Sequence, residues 1–167
     1  MNKSKQKIIF PIILVIIWLV IIFIFSNMDT TKSNGASKGI INKVVDTTLE
    51  TSNNIGIIEE IPTEKEKQTI VNNLNLPLRK IMHFTEYLIL SLLLLNTLNK
   101  TNIKNKYFIT ILTCFIYAIT DEYHQTFITG RTGQFIDVLI DTAGSALGLI
   151  IYNKITLKKD KKRQKMI

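Results

Sequence analysis

The segment TDEYHQTFITGRTGQ, residues 120–134, places Asp121, Glu122, His124, Gln125 and Arg131 directly behind the apolar run YFITILTCFIYAI. Similar side chains recur at two other points. His83 and Glu86 lie in RKIMHFTEY just after Lys80, and Asp137 and Asp141 lie in FIDVLID. Carboxylates and imidazoles can act as general acids and bases, so His83, Glu86, Asp121, His124, Asp137 and Asp141 are the candidate catalytic residues. Lys80 and Arg131 can hold an anion such as a lipid phosphate, with Glu122 and Gln125 as further ligand-binding candidates. His83 with Glu86 and Asp121 with His124 repeat the i, i+3 carboxylate–histidine spacing of di-metal bundles, with the order reversed in the first pair. No GxSxG, HExxH or paired-cysteine motif is present, so the sequence assigns neither a metal nor a cofactor. The single Cys114 cannot form an internal disulfide.

The elements that must position these groups are apolar helices. Length suits one domain over 1–167, and 46% hydrophobic content is ordinary for a soluble chain, but the apolar residues are clustered. Residues 8–25, IIFPIILVIIWLVIIFIF, carry no charge, and at roughly 1.5 Å per residue they come close to the roughly 30 Å hydrocarbon core. A secretory signal peptide would also begin with Lys3, Lys5 and Lys7. The apolar stretch exceeds the roughly 7–15 residues of a signal core, however, and FSNMDT offers no small-x-small cleavage site, which favours an uncleaved helix. Further spans are expected at about 81–98, 107–127 and 135–155. In the third, the apolar part 107–119 is too short to cross alone, so the helix must continue through DEYHQTF.

The expected fold is therefore all-α, an integral membrane bundle of four transmembrane helices. Lys3, Lys5 and Lys7, then Lys100, Lys104 and Lys106, then the basic tail 156–167 fall on one side of this arrangement, which the positive-inside rule makes cytoplasmic. Both termini are then inside, in a multi-pass protein of the cell membrane. The net charge of +8 is read as topology and contact with anionic lipid rather than as nucleic-acid binding. The outer loop 26–80 is expected to carry short amphipathic helices. One has Ile40, Ile41, Val44, Val45 and Leu49 at helical spacing, and another starts at a Thr63/Glu66 capping box and runs to Leu76.

Up-and-down folding brings the ionisable residues of three spans to one depth in the outer leaflet. A 100° wheel puts Thr110, Cys114, Tyr117, Asp121, His124 and Gln125 on one side of the third span, with Glu122 off it. Intramembrane charge is costly, about 2.5–3.5 kcal/mol per residue at mid-bilayer, so such groups face a bundle interior and one another. A polar pocket opening outward is expected. Gly144 and Gly148 form a GxxxG on the Asp face of the fourth span, read as close helix packing. The glycines of TGRTG permit a tight turn there.

These residues resemble the VanZ-like family of small bacterial membrane proteins. The matching pieces are RKIMHFTEYLIL (79–90), DEYHQTFITGRTGQFIDVLIDTAGSALG (121–148) and, more loosely, FSNMDTTKS. The resemblance picks out Lys80, His83, Phe84, Tyr87, Asp121, Glu122, His124, Gln125, Phe127, Gly130, Arg131, Asp137, Asp141 and Gly144, and supplies a role for none. It implies an association with low-level resistance to teicoplanin, a lipid-tailed glycopeptide that acts at the outer leaflet. Three classes stay open. One is a module binding a membrane lipid, a lipid-linked envelope precursor or the lipoglycopeptide; another is a membrane-embedded enzyme on a lipid-linked or phosphate-bearing envelope substrate; the last is a bundle locked by buried salt bridges. Oligomeric state is not readable from the sequence.

Overall fold

The computed structural model describes residues 3–28, 30–57 and 62–164. Its elements are α1 (Lys3–Ser26), α2 (Thr30–Asn54), α3 (Glu64–Leu98), α4 (Lys106–Gln125) and α5 (Phe135–Gln164), with no strand among the described residues. Three of these helices contain segments long and apolar enough to cross a membrane: Ile8–Ser26, Glu64–Leu98 and Phe135–Lys158. In α1, Phe10, Ile13, Ile16, Ile17, Val20 and Ile24 face outward and only Val15 and Ile22 are buried among its large apolar side chains. A helix apolar on every side is at home in hydrocarbon.

The region 26–80 differs from expectation. The short helix expected to end at Leu76 and the span expected to start at 81 are one continuous helix of 35 residues, α3. The expected capping box does open it, with the Glu66 N–H reaching Thr63 Oγ1 at 3.4 Å and Thr63 N–H donating to Glu66 Oε2 at 2.9 Å. Pro77 does not break the helix. It removes one backbone bond, and packing holds the chain on both sides of it: Val71 before and Leu78 after press on Ile41, Val45 and Leu49 of α2. Ser37 also donates to Asn75, and Lys67 pairs with Asp46 at 2.5 Å. At roughly 1.5 Å per residue α3 is about 50 Å long, more than an apolar layer of about 30 Å, so a charged part of it must stand clear of hydrocarbon. The basic tail is likewise helical as far as Gln164.

α5 packs most extensively against α3, and α4 lies along α5. The close approach of α3 and α5 follows from glycine. A Cβ at Gly144 would collide with the Phe84 carbonyl, and one at Gly148 with Ser91 Oγ and the Leu88 carbonyl. The GxxxG is thus a groove for the α3 backbone. Val15 and Ile22 of α1 join Tyr87, Leu90, Cys114, Ala118 and Val138 in the core. Two polar side chains fix α1 there: Trp18 Nε1 donates to the Glu86 carbonyl at 2.9 Å, and Tyr117 Oη donates to the Leu19 carbonyl at 2.9 Å.

Candidate functional site

The polar residues gather where α3, α4 and α5 meet the 126–134 turn. Gly130 has φ +77°, a left-handed conformation that glycine takes without steric cost. A Cβ at Gly133 would strike the Glu122 carbonyl, so this turn folds tightly onto the end of α4. The Glu122 carboxylate completes the seal by accepting the Gln134 N–H at 2.9 Å. This geometry carries Arg131 inward until it is buried, and its Nη2 donates to the Phe25 carbonyl at the end of α1 at 3.4 Å.

Beside Arg131 lies a cavity of about 360 Å³, lined by Asn75, Leu76, Arg79, Lys80 and His83 of α3, by Gln125 of α4, and by Gly130, Arg131, Thr132, Gln134 and Asp137. A smaller one of about 80 Å³, bounded by Phe25, Met28, Ser37, Met82 and Glu86, shares Arg79, His83 and Arg131 with it. Lys80 is paired with Asp137. Arg131 is not paired in this way: its Nε and Nη1 are buried without a hydrogen-bond partner. Burial and the like charge of Arg79 hold its pKa below the ordinary value, while Asp121, Glu122 and Glu86 act on it only as nearby charges in the opposite sense. A guanidinium stays protonated at neutral pH, so the site presents an under-compensated cation with unused donors.

Deeper in the bundle the three helices converge. His83, Asp121 and Asp141 each bring one donor atom within 4.8 Å of the others. Asp141 is 0% exposed and Asp121 is 4% exposed. Asp121 accepts from Gln125 Nε2 at 3.3 Å, whereas both Asp141 carboxylate oxygens lack a partner. Glu86 also lies near this imidazole, 3.8 Å from His83 Nδ1.

The sequence-derived residues therefore separate by position. Lys80, His83, Gln125, Arg131 and Asp137 line the larger cavity, and Glu86 lines the smaller. Asp121 and Asp141 sit behind His83. Glu122, placed off the pocket face by the helical wheel, is nonetheless buried, because the turn folds over it. His124 meets Phe23 of α1 in a tilted ring contact at 5.1 Å and is not one of the three residues of the His83–Asp121–Asp141 group. Arg79 and Asn75 were missing from the candidate set. Their signal is the i, i+4 series Asn75, Arg79, His83 on one helical face, which a span starting at 81 does not contain.

No curated protein and no solved structure matches the chain. A family model described as VanZ/LLP1 matches residues 10–157 of the 167, a stretch that takes in all of α2, α3 and α4 and most of α1 and α5. The likeness carried by residues 79–90 and 121–148, and more loosely by FSNMDTTKS, extends through nearly the whole chain, which belongs to the VanZ-like family.

Proposed function

We propose that the chain is a four-span protein of the cell membrane, both termini cytoplasmic, whose outward-facing cavity binds the anionic head group of a lipid or amphiphilic envelope molecule. A fourth crossing by α4 is supported by Phe108, Leu112, Ile116 and Ile119, which leave one side exposed and apolar while Thr110, Cys114, Ala118 and Asp121 turn inward. An exposed apolar stripe of this kind suits lipid contact. The positive-inside distribution then sets the orientation.

The observation that carries the binding reading is Arg131, buried in the wall of the cavity with two nitrogens unpartnered and Arg79 close by. An anionic oxygen is the complement such a fork recognises. In a VanZ-like protein the fitting occupants are a lipid-linked envelope precursor or the lipid-tailed glycopeptide, and capture at the outer leaflet would account for teicoplanin resistance without turnover. Native mass spectrometry of protein purified from bacterial membranes should show a retained anionic amphiphile that Arg131→Ala releases. Wild-type protein that retains none, even after incubation with an envelope lipid extract, sinks the reading. The orientation fails separately if a reporter fused after residue 167 is active outside the cell.

A second reading, an enzyme acting on a lipid-linked or phosphate-bearing envelope substrate, is favoured by one observation. His83 belongs both to the cavity wall and to the group formed with Asp121 and Asp141. Acid, base and anion-holding groups would then be adjacent.

A further inference from the structure

The geometry points to a divalent transition-metal site, of the kind that takes Zn²⁺ or Mn²⁺, formed by His83 of α3, Asp121 of α4 and Asp141 of α5. The site stands on its own, whatever the cavity in front of it binds. Its donor set is one imidazole nitrogen and two carboxylate oxygens, brought by three different helices to within 4.8 Å of one another. Ligands bound at about 2.0–2.2 Å stand closer together than this, so closing on one ion requires side-chain movements on the order of 1 Å. Mixed imidazole and carboxylate donors suit Zn²⁺ and Mn²⁺ better than the all-oxygen preference of Ca²⁺ or Mg²⁺.

The independent sign of a ligand is Asp141. It is 0% exposed, and neither carboxylate oxygen has a hydrogen-bond partner. Buried polar groups in native proteins are nearly always satisfied, and a carboxylate at a helix interface is among the costliest to leave bare. The Tyr87 hydroxyl is also buried and unpartnered. Gly144, one turn later, brings α5 onto the Phe84 backbone of α3, and Asp141 on the same helix is fully buried. A doubly charged ion answers both defects, since it supplies the missing partner and offsets the repulsion between two carboxylates in a dry interior. Because His83 also lines the larger cavity, a bound ion would face it, and an anionic oxygen held by Arg131 could complete the coordination.

The test uses the full chain in detergent, stripped with chelator, incubated with Zn²⁺ or Mn²⁺ alone, and assayed for bound metal by plasma mass spectrometry. About one ion per chain is expected for at least one of the two metals, with Asp141→Asn and His83→Gln each weakening affinity by about tenfold or more. His124→Phe removes the only other imidazole of the chain and should leave binding unchanged. Wild-type protein that binds neither metal overturns the site, as does a folded Asp141→Asn variant with undiminished affinity. If Asp141→Asn aggregates, the wild-type melting temperature decides. A rise on adding metal that is lost in His83→Gln supports the site, and no rise in wild type overturns it.

Discussion

Gly144 of α5 sits against the backbone carbonyl of Phe84 on α3, so close that a single methyl group could not be placed between them. The contact sets the spacing of the two helices that carry His83 and Asp141. Gly144→Ala should destabilise the bundle by about 1–3 kcal/mol through overpacking, read as unfolding at a lower SDS fraction. Gly144→Leu should prevent accumulation of folded protein. If Gly144→Ala unfolds like wild type, the helices are not in this contact.

Arg131 should not be replaceable by lysine. Its planar fork reaches the Phe25 carbonyl through Nη2 while Nε and Nη1 point elsewhere, a division that a single ammonium cannot reproduce. Arg131→Lys should therefore lose most of the amphiphile retention that Arg131→Ala loses. Full retention by the lysine variant would reduce the contribution of Arg131 to bare charge.

Lys80 and Asp137 bridge α3 and α5 with side chains 38% and 25% exposed. A partly solvated pair of this kind is worth little, about 0.5–1 kcal/mol. A double-mutant cycle with Lys80→Met and Asp137→Asn should return a coupling of that size, decreasing with salt. A coupling of several kcal/mol would mean that the pair is far drier than its exposure implies.

His124 should be dispensable for the fold. Its ring meets Phe23 in a tilted contact, and its Nδ1 is buried without a partner. His124→Phe keeps the ring contact and deletes an unsatisfied polar atom, so the melting temperature should hold or rise by a few degrees. A marked fall would reveal a partner for the imidazole.

Thr63 caps α3 in reciprocal hydrogen bonds with Glu66. Thr63→Ala should raise amide hydrogen exchange in the first turn of α3 about fivefold, the effect of losing a typical N-cap. Exchange near His83 should not change. If it did, the N-terminal part of α3 would be coupled to the site instead of fraying alone.

Local chemistry made much of this protein readable from residue order. The unbroken apolar run of α1 demands hydrocarbon whatever it packs against, and the Thr63/Glu66 box marks a helix start because the groups involved are three residues apart. The GxxxG and the ionisable residues of three segments announced close packing and a shared interior, since small side chains admit backbone and charges avoid lipid. Tertiary structure alone decided whether Pro77 would end a helix, because contacts with α2 on either side of it outweigh one lost backbone bond. It alone buried Glu122, since the 126–134 turn folds back over a residue that the helical wheel had left outside. And it alone chose among the two histidines and the acids: which imidazole meets Asp121 and Asp141 depends on how α3, α4 and α5 are rotated against one another, a property of packed surfaces that no spacing along one helix contains.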